Sequence, residues 1–480
     1  MKQYFIDKLD MIKEWLKKEK WFLILLSVMT VSLFVSMFTE YALLLCIIAT
    51  IICSLVFNIE YNLSFFLFCY AFETIFLVSI NGKLNNTYTS MYSIIVAVCF
   101  LKHLINVINK KEQLNLNYLI PIAMFIFYIL LSMRAFNFTR IVRYCVVLGF
   151  VYLLLEYKEK LRFDNILLYA SIGVIISILF SFFAENSARM LEIKTDYYNY
   201  GIKKVQGLFS NPNHFAIYII LILTFVLYNF VDENELWGIA FFIMYPYSYL
   251  NFSRNYILCL MFTLLMITIF ICIKRKKSLF FKYIASMLLI VIVSVSQLNI
   301  TKVYINRVGT IYNEACQLVG INNNDNKKPS VNIEINTQPE QPVIPNDKVW
   351  VDGTAIDPGR AGIWKRYIKD YTSSVNVILF GRGIVADELG MGVHNSFIEI
   401  IWRLGLIGTI LLCYIFYLLA RELLKRKSYL LLMILGVTLI INLFESCFFN
   451  SIAIMMILAL LSSIKKEVNY EKSISNNTCV

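Results

Sequence analysis

His394 and Asn395 stand where a long polar stretch of the chain gives way to an apolar run, and Glu399 and Arg403 follow within that run. An imidazole that titrates near neutrality accepts a proton from a hydroxyl nucleophile, so His394 is the candidate base. Cations recur in the segments before it: Lys204 ahead of Asn211-Pro212-Asn213-His214, then Ser253-Arg254, then Gly359-Arg360 with Trp364, then Gly381-Arg382-Gly383. Arg254, between two apolar runs, either snorkels to the interface or faces a phosphate, for which the guanidinium fork is well shaped.

Each segment also carries a plainer reading. Asn-Pro favours a turn, and Asn213 is expected to cap the helix that follows, whose first amides would otherwise be open to an anion. Ile363, Trp364, Tyr367, Ile368 and Tyr371 share one helical face while Lys365, Arg366 and Lys369 lie mostly elsewhere, the pattern of a helix lying on an anionic membrane. Glu399 and Arg403 are one helical turn apart and are expected to pair. Gly405 and Gly408 permit close helix packing. Gly381-Arg382-Gly383 lacks the third glycine of a dinucleotide fingerprint, which excludes a Rossmann reading.

The elements that position these residues are membrane helices. The chain has 480 residues, 59% hydrophobic and 16% charged, with a mean hydropathy of +0.67. A soluble domain has no place for so much apolar surface. Apolar runs recur at the length that crosses roughly 30 Å of hydrocarbon as helix, and they are continuous rather than alternating. The fold class is therefore an all-α polytopic membrane protein of about 12–14 transmembrane helices. Runs begin near Trp21, Tyr41, Leu63, Met91, Tyr118, Ile141, Asn165, His214, Leu236, Asn255, Phe280, Asn395, Ser428 and Ser451.

The formal charge of +12 sits in short loops, including Lys17–Lys20, Lys110–Lys111, Lys158–Arg162, Lys274–Lys277 and Arg421–Lys427. Such clusters set topology and point to no nucleic-acid partner. With them inside, 1–20 is a cytoplasmic amphipathic N-terminus, 21–298 holds the first eleven spans, 299–394 is a large extracytoplasmic loop, 395–464 holds the C-terminal spans and 465–480 is a cytoplasmic tail. Ala184–Asn213, Asn251–Arg254 and Gln297–His394 then all fall on the outer face. The first span reads as a retained signal anchor. Within the loop, Asn322–Val343 reads as a flexible stretch. Of the 11 cysteines, only Cys316 lies in the loop, so no disulfide framework is implied.

In order and position around one late outer loop, these segments resemble the O-antigen ligase and Wzy polysaccharide polymerase superfamily. The resemblance covers Gly207 to Gly408. It implies a GT-C-like, metal-independent glycosyltransferase of a bacterial cytoplasmic membrane, with no cofactor. Its partners would be undecaprenyl-diphosphate-linked oligosaccharide, membrane lipids and other polysaccharide-assembly proteins. Carried over by position, Arg254 and Arg360 would hold the diphosphate and His394 would activate the acceptor hydroxyl. Lys204, Asn211, Asn213, His214, Trp364, Arg382, Asn395, Glu399 and Arg403 would line the substrate site. The chain departs from the family at Arg403, where an acid is common, which raises Glu399 as its substitute, and at Asn255, where a glycine commonly follows Ser-Arg.

The leading expectation is a polymerase that transfers a growing glycan to a lipid-linked repeat unit in capsule or O-antigen synthesis. A ligase serving a different terminal acceptor is the neighbouring alternative. A lipid-linked oligosaccharide flippase is an alternative of another class. A flippase needs cations through the bilayer depth, whereas Arg134, Arg140, Arg143, Arg254 and Arg360 are placed at or near the outer surface.

Overall fold

Continuous apolar sequence satisfies its backbone polar groups only as helix when water is excluded, and helix dominates the computed structural model. It describes residues 2–80, 83–86, 88–109, 113–132, 138–157, 161, 163–184, 186–193, 198–199, 202–203, 205–209, 211–232, 235–251, 253–305, 359–383, 389, 392–424 and 429–445. The span expected near Ser451, the tail, Cys316, Asn322–Val343 and most of the long loop lie outside the described residues, as does Lys204.

Every other expected run has its helix, from Lys2–Ser36 to Tyr429–Phe444. Six helices among the described residues are long and apolar enough to cross a membrane: Lys13–Ser36, Asn165–Ala184, Pro212–Asp232, Asn255–Lys274, Lys277–Ser296 and Ser396–Leu418. Shorter apolar helices accompany them, and the set fits a polytopic membrane protein. The run near Leu63 forms a shorter helix than expected. Ile59–Tyr70 has 12 residues, and the chain then turns through a 3-10 helix, Glu73–Phe76, into a hairpin that pairs Leu77–Ile80 with Lys83–Asn86. A second small hairpin pairs Tyr198–Asn199 with Ile202–Lys203.

Pro212–Asp232 is the central helix. It is apolar on all sides, and 94% of its most apolar window is buried, as expected of a helix without a polar face. Leu236–Tyr249, Arg254–Lys274 and Tyr429–Phe444 pack around it. Lys277–Ser296 is peripheral, with Phe280, Phe281, Leu288, Val291, Ile292 and Val295 all exposed. A stripe of that size has no stable partner in water and suits lipid.

Hydrogen bonds gather the connections into two groups at opposite ends of the bundle. At one end the buried Arg189 donates to the carbonyls of Ser36, Ile75 and Leu77. Thr74 N donates to Leu208 O at 2.7 Å, and Val205 N to Leu250 O at 3.3 Å. Tyr304 Oη donates to Tyr249 O at 2.9 Å. At the other end Lys102 Nζ donates to Phe57 O at 3.0 Å, and Asn165 Nδ2 to Glu60 Oε1 at 3.3 Å. The expected alternation puts these connections into the same two groups.

Candidate functional site

The first group of connections holds most of the chemistry. Asn251 is fully buried. Its Nδ2 donates to Val205 O at 2.7 Å and to Pro212 O at 2.9 Å. That amide fixes the start of Pro212–Asp232 beside the turn that leads into Arg254–Lys274, whose N-cap is Ser253. Asn211, not Asn213, caps the first of these helices: its Oδ1 accepts from Asn213 N at 2.8 Å. Relieved of the capping role, the Asn213 side chain reaches across the site, and its Nδ2 donates to Glu445 Oε1 at 2.7 Å.

The other oxygen of that carboxylate, Glu445 Oε2, lies 3.2 Å from His394 Nδ1. Glu445 immediately follows Tyr429–Phe444, and its carboxylate is almost buried, at 12%, while the His394 side chain is 46% exposed. Neighbours of His394 are sewn to the same helix end: Asn395 Nδ2 donates to Leu443 O at 3.0 Å and Ser396 Oγ to Glu445 O at 2.8 Å. Asn395 Oδ1 also accepts from Ile398 N at 3.0 Å, capping Ser396–Leu424. His394 itself adopts a φ of 48°, a left-handed backbone that costs a non-glycine residue energy and gathers at functional sites.

This geometry has a chemical consequence. With Nδ1–H donating to Glu445, the imidazole carries its unprotonated nitrogen at Nε2, the tautomer a general base needs. Helices Pro212–Asp232, Arg254–Lys274 and Ser396–Leu424 all begin here, and their N-terminal partial charges favour an anion. Among the described residues, the buried Asn251 Oδ1 and Asn255 Oδ1 have no hydrogen-bond partner.

A second histidine–acid pair lies beside the first. His214 Nδ1 is 3.7 Å from Glu73 Oε2, on the residue next to Asn213. Arg254 and Arg360 open helices Arg254–Lys274 and Gly359–Tyr371, and their side chains lie outside the described residues.

Gly359–Tyr371 buries part of its amphipathic face against protein. Ile363 and Tyr367 are buried against Val393 and Trp402, with Trp364, Tyr371 and Ile398 at the edge. The Tyr367 and Trp402 rings meet edge to face at 4.9 Å. Trp364 Nε1 donates to Val393 O at 2.9 Å, holding the backbone one residue before His394. Protein covers Ile363 and Tyr367 while Ile368 stays 49% exposed, and Trp364 fixes the backbone beside His394.

Arg382 is occupied as well. Its Nε and Nη2 grip Asp370 Oδ2 and Oδ1 at 2.8 and 2.6 Å, and Trp402 Nε1 donates to the same carboxylate at 2.8 Å. The Arg382 hydrogen bonds hold the Asp370 carboxyl below its usual value, with the Trp402 indole adding to the effect. Glu399 and Arg403 pair as expected, at 2.8 Å, both largely buried.

Gly405 permits close packing, as expected, against the end of Val375–Phe380. It breaks the helix with φ 64° and ψ −175°, and Gly381, at φ 73°, crosses directly against it. A Cβ on Gly381 would lie 2.4 Å from Arg403 O, and one on Gly405 2.4 Å from Gly381 N. Arg382 N and Gly383 N donate to Trp402 O and Arg403 O, both at 2.9 Å. Tyr128 Oη donates to Phe380 O at 3.2 Å and also to Leu404 O, pinning the crossing to Leu116–Ser132. Gly408 does serve close packing, against the Tyr128 ring.

The structure thus unites His394, Asn395, Asn211, Asn213 and His214. It places Trp364, Arg382, Glu399 and Arg403 in the frame that supports them. Sequence reasoning missed Glu445 and Glu73. The signal for Glu445 was an acid at the edge of an apolar run, which marks a functional position by default. Comparison with family models, with curated proteins and with solved structures finds no match to this chain.

Proposed function

We propose that the protein is a membrane glycosyltransferase that moves a glycan from a lipid diphosphate to an acceptor hydroxyl, working as a polysaccharide polymerase on undecaprenyl-diphosphate-linked repeat units. The observation that carries this reading is the array Asn213–Glu445–His394 among converging helix N-termini. His394 Nε2 takes the acceptor hydroxyl proton as that oxygen forms the new bond to the anomeric carbon. The bond from that carbon to the phosphate oxygen breaks, and the diphosphate leaves with the electron pair. Helix N-termini and Arg254 stabilise the charge that develops on it. The site end faces outward if the basic loops are cytoplasmic.

The test is reconstitution of the full chain with lipid-diphosphate repeat units as the only substrate. Polymer from the wild type, and single units left unextended by His394→Ala of normal melting temperature, are the expected results. No polymer from the wild type overturns the polymerase reading, and unimpaired polymer from His394→Ala overturns the assignment of the base.

A further inference from the structure

Arg254–Lys274 begins at the site end and leads away from it, so the turn that joins it to Lys277–Ser296 lies at the opposite end of the bundle. That turn carries four consecutive cations, Lys274, Arg275, Lys276 and Lys277, all of them exposed. Arg275 closes the first helix in a left-handed conformation, φ 52°, and its N–H donates to Ile271 O at 2.9 Å. Lys276 is the N-cap of the second helix, and its carbonyl accepts from Leu279 N at 3.2 Å. Away from the turn, Tyr283 Oη and Thr268 Oγ1 meet at 2.8 Å and join the two helices. Setting topology needs only the count of such charges. Here they are also held together on two helix ends.

The helices themselves account for one of the four. Lys274 suits the negative end of Arg254–Lys274, and its ammonium lies 5.8 Å from the centroid of the Phe270 ring. Lys276 and Lys277 stand at the positive end of Lys277–Ser296, where a cation is unfavourable. Among the described residues no ion pair joins any of the four to an acid. Asp232 and Glu235 lie at the same end of the bundle, where the Tyr228 ring packs on Phe270 at 5.3 Å, and neither pairs with the turn. Like charges held this close repel one another, the more so beside a medium of low dielectric constant, and an anion relieves that repulsion.

Apolar rows on both helices say what kind of molecule carries the anion. Ile269 and Ile273 are exposed on the first helix, and Phe280, Phe281 and Ile284 on the second. Ile273 directly precedes Lys274, and Phe281 is one turn beyond Lys277. A cationic end set on exposed apolar faces is complementary to an amphiphile with a negative head, whereas a soluble anion or a nucleic acid makes no use of those faces. Four cations immediately beside a membrane helix are also the number that marks a site for anionic lipid. We infer that this turn binds the headgroup phosphate of an anionic phospholipid, with acyl chains along Ile269, Ile273, Phe281 and Ile284. The inference is independent of the transferase reading.

The experiment adds defined lipids to the delipidated full chain in detergent and reads melting temperature and, by native mass spectrometry, retained lipid. Phosphatidylglycerol is expected to be retained and to raise the melting temperature, less so as ionic strength rises. Phosphatidylethanolamine, whose ammonium offsets its phosphate, and inorganic phosphate are expected not to reproduce this. The triple change Arg275→Gln, Lys276→Gln and Lys277→Gln should weaken phosphatidylglycerol retention by about tenfold or more. It should not lower the melting temperature of the lipid-free chain, because all three side chains are exposed. The matching change at another exposed basic cluster, Lys17→Gln, Lys18→Gln and Lys20→Gln, should leave retention little changed, which separates this turn from basic charge in general. Equal retention of phosphatidylethanolamine, equal stabilisation by phosphate, undiminished retention in the first variant, or an equal loss in the second overturns the inference.

Discussion

Glu445 Oε2 sits 3.2 Å from His394 Nδ1, joining residues that are 51 positions apart in the chain. The same carboxylate is held from its other oxygen by Asn213, so it is fixed before it orients the imidazole. Glu445→Gln keeps the shape and removes the charge. In the proposed transferase Glu445 positions the base, so kcat for glycan extension should fall by about 10²–10⁴ with KM little changed. Steady-state kinetics of variant and wild type decide it, and an unchanged kcat would remove Glu445 from the mechanism.

The glycine crossing predicts a stability effect with no direct chemistry. Gly381→Ala and Gly405→Ala each push a Cβ within 2.4 Å of backbone atoms that cannot move aside, at a positive φ. Each should cost about 2–4 kcal/mol, read as a lowered melting temperature in detergent. Tyr128→Phe, which removes only the hydroxyl that pins the crossing, should cost about 1–2 kcal/mol.

Asp370 couples the loop helix to pH. Arg382 depresses its carboxyl in the fold, so the stabilisation is fully present above the ordinary carboxylate value of about 3.9. It is lost as pH falls through the depressed value. Hydrogen exchange of Gly359–Tyr371 should therefore stay slow near neutrality and rise only under strong acid. In Asp370→Asn it should be faster at neutral pH and lack that acid dependence.

Arg189 is the corresponding fastener on the other side of the site end. Arg189→Met would leave the carbonyls of Ser36, Ile75 and Leu77 without their donor. A loss of about 1–3 kcal/mol per unsatisfied buried group sets the scale. The drop in melting temperature should exceed that of Lys365→Met, a change on the exposed face of Gly359–Tyr371.

Much of this protein is determined by its sequence alone. Unbroken apolar runs leave helix as the way to satisfy the backbone, and loop charge sets their alternation, so which polar connections share an end was legible before any coordinates. Glu399 with Arg403 was legible too, because helical spacing is local. What the tertiary structure decided is everything that depends on contacts distant in sequence. The amphipathic stripe on Gly359–Tyr371 looks the same whether lipid or protein covers it, and only packing chose Trp402 and Val393. Gly405 reads as a packing glycine, but that Gly381 is what packs there, and that the helix breaks at this point, came from the fold. Asn213 reads as a cap until Asn211 takes that role and frees its amide for Glu445. His394 was a candidate base from its type and position, but the acid beside it lies beyond two further helices, Ser396–Leu424 and Tyr429–Phe444, and a linear pattern carries no trace of that distance closing.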